Sequence, residues 1–468
     1  MRSLFTSLFL LLAGLAALVH ATSSAGSRLL VISDDVAADK ETYSTFLGDV
    51  ESRGFDITFE APKSESLKLF TLGERSYDHI LLLPTKGKGI GPNLTPQALL
   101  DFYNAEGNIL LTLSSTNTAP TSLVSVLLEL DIHLPSDRTG TVVDHFSYDT
   151  LSAADLHDVL VLPAPGPYRE DVKDLFSPSE DTTLAFPRGV AQSLGSGALL
   201  TPILRAPRTA YSYNPKEQSE GIESGDELFG VGKQLSLIST MQARNSARFT
   251  VVGSAEMLSD AWIEAEVQKT GTKDKVTVAN REFARRVSGW TFKEIGVLKV
   301  NWIEHHLNEI GGSNESNPKI YKVKNDVTYS ISMSEYVWDS WTAFTVPDTD
   351  ALQLEFSMLS PFHRLPLHPV LSTSDSTIFS VSFKLPDQHG IFNFKVNYKR
   401  PFLTNVEEKN TVSVRHMAHD EWPRSYVISG AWPWISGVGV TVVGFVSFCA
   451  VWMYSAPAQS VAKGKKTQ

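Results

Sequence analysis

The sequence predicts an N-terminal α/β region built on a parallel sheet, an all-β, sandwich-like region after it, and one C-terminal transmembrane helix. Three observations carry this. Between residues 28 and 135, short apolar runs alternate with stretches of helical spacing. From about residue 318 the apolar period changes to two. From Ile435 to Tyr454 the chain carries no charge.

The first residues, "MRSLFTSLFLLLAGLAALVHATSSAGS", hold a basic Arg2 and an apolar run from Leu8 to Val19. Val19-His20-Ala21 is a small-x-small cleavage site, with Ala25 as a second choice, so a removed secretory signal is expected. "RLLVISDD" is an apolar run ending in carboxylates, the pattern of a buried strand. "KETYSTFLGDVESRG" places Tyr43, Phe46, Leu47 and Val50 on one helix face and stops at Gly54. "FDITFEAP" and "DHILLLPT" read as strands. "LTPQALLDFYNAEG" reads as a helix with Thr95 as N-cap, Pro96 in its first turn and Gly107 at its end. "NILLTLSS" is again a strand. Such alternation gives parallel α/β sheets.

Residues 136–300 are less regular. "DVLVLPAP" reads as a strand, "FTVVGSAEMLSDAWI" as a strand entering a helix, and "VANREFARRVSGWTF" as a helix. The Pro- and Gly-rich stretch 163–230 fits no element. After the candidate linker "GGSNESNP" (311–318), alternating strands such as "TIFSVSFKLPD" and "GIFNFKVNYKR" follow one another between turn residues, the signature of a β sandwich. The expected organisation is a signal peptide over 1–21, a lumenal α/β region over 27–310 with a candidate split near 136–160, a lumenal β region over 318–425, a membrane helix over 432–454 and a cytosolic tail over 455–468.

Twenty residues at about 1.5 Å rise cross roughly 30 Å of hydrocarbon. Trp432 and Trp434 flank one end of the apolar run, Trp452 and Tyr454 the other, as interfacial aromatics do. Lys463, Lys465 and Lys466 follow, which places the tail in the cytosol. Gly437, Thr441, Gly444 and Ser447 recur at helical spacing and form a small-residue face on which a second helix can pack; a helix that simply faces lipid tolerates the same residues.

The formal net charge of −11 argues against nucleic acid as a partner. The single cysteine, Cys449, lies inside the apolar run, so no intrachain disulfide can form. Asn93 and Asn314 head N-x-S/T sequons and are candidate glycan acceptors, the first weakened by Pro96.

Chemistry-bearing patterns are sparse, and no metal or cofactor is expected. Asp34 and Asp35 end the first strand, but no third aspartate ends the central one. "KGKGIGP" (86–92) lacks the Gly-Lys-Ser/Thr ending of a phosphate loop. Asp348-Thr349-Asp350 is a D-x-D of the kind that holds a metal on a sugar nucleotide, or simply a solvated turn. His305 and His306 point to opposite faces of a strand. His416 and His419 share a face only on a helix, which the strand pattern disfavours. No nucleophile–base pair emerges, so no catalytic residue is assigned.

Six stretches carry a family resemblance: "RGFDITF" (53–59), "MQARNSARFTVVGS" (241–254), "FKEIGVLKV" (292–300), "LQLEF" (352–356), "FKLPDQHGIFNFKVNYKR" (383–400) and "HDEWPRSY" (419–426). They resemble the DDOST family, the non-catalytic single-spanning subunit of the endoplasmic-reticulum oligosaccharyltransferase, and within it the fungal wheat-germ-agglutinin-binding-protein branch. The resemblance implies an intraflagellar-transport-like α/β region and a subunit of the complex that moves a preassembled glycan from dolichyl diphosphate to Asn of N-x-S/T sequons. It implies that catalysis lies in a separate multi-spanning subunit with a W-W-D motif, which this chain lacks. It also implies partners resembling ribophorin II and the defender-against-cell-death subunit. In that setting Lys465 and Lys466, at the −4 and −3 positions, form a K-K-x-x retrieval address in the cytosol. A free-standing lumenal enzyme using Asp348 and Asp350 or the Asp34–Asp35 pocket, and a glycan or cargo receptor of the early secretory pathway, remain the alternatives.

Overall fold

The computed structural model describes residues 23–87, 89–178, 182–214, 229–308, 315–421 and 431–455. The expected signal peptide lies outside them.

The N-terminal region is built on a nine-stranded mixed sheet. Strand β1 (Arg28–Ile32) is followed by helices α1 (Val36–Thr42) and α2 (Ser44–Ser52), then β2 (Asp56–Glu60) and β3 (His79–Leu82). The helical stretch is thus two helices hinged at Tyr43, whose φ of −112° and ψ of 29° leave the helical region. Helix α3 (Pro96–Asn104) begins where the Thr95 hydroxyl accepts from Ala98 N at 3.1 Å. Gly107 follows because the Phe102 ring lies 2.2 Å from where a Cβ would stand. Strand β4 (Asn108–Thr112), helix α4 (Thr121–Glu129) and β5 (Ile132–His133) come next.

Strands β6 (Val159–Pro163) and β7 (Thr183–Pro187) form a two-stranded antiparallel sheet of their own. Strands β8 (Gln192–Leu194) and β9 (Leu200–Arg205) precede β10 (Leu235–Gln242) and β11 (Arg248–Val252). Helix α5 (Asn280–Thr291) closes the region.

The sheet order is β2-β1-β3-β4-β11-β10-β8-β5, with β9 also on β10. Strands β2, β1, β3, β4 and β11 are parallel, as the buried apolar runs predict. The remaining four are antiparallel, so the expected parallel sheet is a mixed one. Their buried polar groups blur the apolar pattern: Thr240 Oγ1 donates to Thr201 O at 3.0 Å and Gln192 Nε2 to Val251 O at 3.3 Å. Stretch 163–230 therefore holds β7, β8 and β9 rather than no element. Because β11 inserts beside β4, residues on both sides of 136–160 belong to one sheet.

The second region opens with β12 (Ile295–Leu307), followed by β13 (Ile320–Lys322), β14 (Asp326–Val337), β15 (Ser340–Ala343), β16 (Gln353–Ser357), β17 (Pro361–Pro366), β18 (His368–Ser372), β19 (Thr377–Lys384), β20 (Gly390–Tyr398) and β21 (Val406–Arg415). Strand β12 pairs along its length with β14, so the strands on either side of "GGSNESNP" belong to one region instead of two. One five-stranded sheet has the order β12-β14-β19-β18 with β15 on β14; the other is β13-β21-β20-β16-β17. They face each other through aromatic rings: Tyr329 stacks on Phe394 at 5.5 Å and Phe356 meets Phe383 at 5.6 Å. Helix α6 (Trp432–Tyr454) is long and apolar enough to cross a membrane and buries no residue.

Candidate functional site

The two regions join through a polar seam under β11 and α5. Arg248 sits in a wholly buried strand, between Ala247 and Phe249. Its guanidinium donates to the carbonyls of Trp290, Ile295 (2.7 Å) and Gly296 (2.6 Å), and lies 4.6 Å from the Trp290 ring centroid. Burial brings its pKa down to about 9, which still leaves it charged at neutral pH. Trp290 Nε1 donates to Phe402 O at 2.7 Å. Gly296 has φ of 68°, and a Cβ there would fall 2.6 Å from the same Phe402 oxygen, so only glycine fits.

Further bonds extend the seam. Gln242 Nε2 donates to Leu403 O at 2.6 Å and Asn405 Nδ2 to Ala243 O at 3.2 Å. Lys173 Nζ meets Glu335 at 2.6 Å, and the Arg285 guanidinium lies 4.2 Å from the Trp338 ring. Burial raises the Glu294 carboxyl to about 7 against the pull of Arg53 and Arg285, and lowers Lys293 to about 8 with help from Arg248. Seam bonds on this scale leave the regions no free hinge.

Beside the seam lies a cavity of about 670 Å³, lined among others by Pro163, Pro167, Tyr168, Lys173, Arg205 and Phe402. The D-x-D turn is at this junction too. Asp350 is held by Arg400 through two bonds and by Tyr398 Oη at 2.9 Å, with its side chain only 5% exposed. Thr349 Oγ1 donates to Glu170 O at 2.8 Å. Burial alone would raise the Asp350 carboxyl, but the bonds from Arg400 and Tyr398 hold it below its usual range. Asp348 is exposed. The turn is therefore solvated at Asp348 and a structural clamp at Asp350, and the two carboxylates do not act on one ligand.

The Asp34–Asp35 pair and the 86–92 loop meet at the carboxyl ends of β1 and β3, where the strand order reverses and open α/β sheets place their ligands. Asp34 accepts from Lys86 N, and Asp35 caps α1 through Ala38 N at 3.3 Å. Ser33 Oγ donates to Asp39, whose carboxyl is pushed up by burial and by Asp35 and Asp34 nearby. Gly91 N donates to Pro62 O at 2.9 Å. Local capping bonds thus take up both aspartates, and the acidic surround repels phosphate.

His305 is buried, bonded to Tyr321 Oη and stacked on Phe394 at 4.8 Å, while His306 is on the other face of β12. Burial holds His305 down at about 4, so it is neutral. His416 lies against His389, ring centroids 4.0 Å apart, and His419 falls in a short turn, His419–Glu421. Asn93 is exposed, but its Nδ2 donates to the carbonyls of Ser64 and Glu65, both at 3.2 Å. Gly437, Thr441, Gly444 and Ser447 lie within α6 and are exposed. Asn314, Lys465 and Lys466 lie outside the described residues. Among the described residues no group of three or more His, Cys, Asp or Glu is placed to hold a metal.

Sequence reasoning missed the seam. Its one signal was Arg248 itself, a guanidinium inside the apolar run "ARFTVVG". A charge buried there must be answered by hydrogen bonds from a second element.

Comparison with known proteins gives two family matches: the OST48 N-terminal domain over residues 20–294 and the OST48 middle domain over residues 305–456. The dolichyl-diphosphooligosaccharide–protein glycosyltransferase subunit wbp1 of Schizosaccharomyces pombe is 32% identical over 431 residues, covering 91% of this chain and 92% of the relative. The 48 kDa subunit of the same transferase from Arabidopsis thaliana is 31% identical over 430 residues, covering 91% and 92%. The subunit WBP1 of Saccharomyces cerevisiae is 30% identical over 427 residues, covering 90% of each chain.

Proposed function

The chain belongs to the OST48 family, and from that premise we propose that it is a non-catalytic structural and assembly subunit of the oligosaccharyltransferase, the complex that moves a preassembled glycan from dolichyl diphosphate to Asn of N-x-S/T sequons. Relatives matching about nine-tenths of its length are named as subunits of that transferase. The catalytic residues belong to another, multi-spanning chain.

One observation carries the mechanical role. The α/β region is locked to one end of the β region, and the chain leaves for α6 from the other. Strand β14 has 12 residues and β21 has 10. At about 3.3 Å per residue they span roughly 40 and 33 Å. The β region is then a stiff spacer that holds the α/β region at a fixed height above the bilayer. This suits a subunit that positions a glycan donor or an acceptor beside a catalytic chain.

The remaining assignments follow from this reading. The chain is a single-pass, type I protein of the endoplasmic-reticulum membrane, with both regions lumenal. The Gly437, Thr441, Gly444 and Ser447 face packs against helices of the catalytic, ribophorin-II-like or defender-against-cell-death-like subunit. Lys465 and Lys466 return unassembled chains from later compartments. Asn93 and Asn314 are acceptors only while their segments are unfolded or exposed, and the Asn93 amide bonds favour an unmodified Asn93. The α/β region is intraflagellar-transport-like, and the two facing sheets form a β sandwich.

The test is add-back to membranes depleted of the chain. Wild type and Asp348→Ala should restore glycan transfer equally. An Asp348→Ala chain that assembles normally but restores no transfer would make this protein the enzyme and overturn the proposal.

A further inference from the structure

The end of the β region from which the chain leaves for the membrane has an apolar tip of its own. Strand β21 delivers the chain to Arg415, which together with Lys322 is pinned to Glu421 at 2.8–3.0 Å. Ten residues, 422–431, separate Glu421 from α6. Fully extended they reach no more than about 35 Å.

Three turns gather at the same end. Leu385 N donates to Asn325 O at 2.8 Å, Lys324 N to Pro386 O at 3.3 Å and Val323 N to Arg415 O at 2.9 Å. The third turn is the β16–β17 tip, Met358-Leu359-Ser360. Strands β16, β20 and β21 are successive neighbours, so this tip lies about 10 Å sideways from the chain's exit. A Cβ on Gly390, which pairs with Val414, would stand 2.7 Å from Met358 Sδ.

At this tip Leu359 is 99% exposed. Ile391 and Ile320, at 65% and 59%, flank Ser413 on the outer face of the same sheet. Residues 356–363 contain no carboxylate, and the residues flanking them, Glu355 and Arg364, pair with each other at 3.3 Å. A leucine held fully in water at a hairpin tip, with isoleucines behind it, is a surface awaiting an apolar medium. The chain itself brings that medium near, because α6 and its interfacial Trp432 and Trp434 are one short tether away.

We propose that the Met358–Leu359 tip enters the headgroup–acyl boundary of the lumenal leaflet, giving the β region a second hold on the bilayer beside α6. This rests on α6 spanning the membrane. Two holds fix the tilt of the spacer, which a single attachment leaves free.

The test uses three single-cysteine chains in the co-purified complex, reconstituted in phosphatidylcholine vesicles and labelled with an environment-sensitive fluorophore. They are wild type, labelled at Cys449; Cys449→Ser with Leu359→Cys; and Cys449→Ser with Leu72→Cys, an exposed leucine of the α/β region. A lipid carrying a quencher high on its acyl chain should quench the Leu359 probe severalfold more than the Leu72 probe. Equal quenching at Leu359 and Leu72 overturns the proposal. So does a Leu359 probe shielded from water yet untouched by the lipid quencher, which would mean that a protein partner covers the tip. An unquenched Cys449 probe would instead show that α6 does not span.

Discussion

Arg248 lies with its guanidinium 4.6 Å from the ring of Trp290 and gives its hydrogens to the carbonyls of Trp290, Ile295 and Gly296. Replacing it with methionine keeps the volume and strands those carbonyls in an apolar setting. Arg248→Met should cost at least about 3 kcal/mol. Urea unfolding followed by tryptophan fluorescence measures this. A loss below about 1 kcal/mol would mean that the seam does not join the regions.

His79 is buried with both ring nitrogens engaged. Asn108 Oδ1 accepts from Arg248 N, so its amide faces His79 Nδ1 at 3.2 Å, and Nε2 donates to Gly26 O at 3.0 Å. Only the neutral ring fits, and burial holds its pKa down at about 4. An unfolded imidazole titrates near 6.5, so the contribution is complete above that pH and is lost as pH falls towards 4. It amounts to about 3 kcal/mol. Denaturation midpoints at pH 7, 5.5 and 4.5 should fall steeply for wild type and less steeply for His79→Gln. Parallel slopes would rule this origin out.

Asp348 and Asp350 should behave differently although one residue separates them. Asp350→Asn breaks the clamp to Arg400 and Tyr398 and should cost about 2–3 kcal/mol. Asp348→Asn should shift stability by less than about 0.5 kcal/mol. Thermal unfolding of the two variants decides the matter. Equal effects would mean that the turn acts as one unit.

The membrane segment and tail make separable predictions. Gly437→Leu with Gly444→Leu should leave topology intact and reduce recovery of partner subunits about tenfold. Lys465→Ser with Lys466→Ser should leave assembly unchanged, while unassembled chain leaks past the endoplasmic reticulum. Glycan processing of an engineered sequon reports the leak. Full retention of that variant would place the retention signal in α6 or the lumenal regions.

The parallel half of the α/β sheet was legible because the stretches Leu29–Ile32 of β1 and Ile80–Leu82 of β3 are buried on both faces and read as unbroken apolar runs. The antiparallel half was not. Ser239 and Gln192 are buried there by bonding each other and Thr240 by bonding the Thr201 carbonyl, which no periodicity records. The boundary between the regions was misplaced because β12 is apolar on both sides at Ile295–Leu298 and alternates only afterwards. Glycines and asparagines at 311–318 mark a strand connection as readily as a linker. The seam joins residues far apart in the chain, and a sequence shows only one side of such a contact.

Purifying the tagged full-length chain from membranes in mild detergent, and identifying what accompanies it, tests the proposed role most directly. The chain should bring down a multi-spanning transferase subunit and transfer activity towards a dolichyl-diphosphooligosaccharide and an N-x-S/T peptide. Recovery of the chain alone, without that activity, would contradict it.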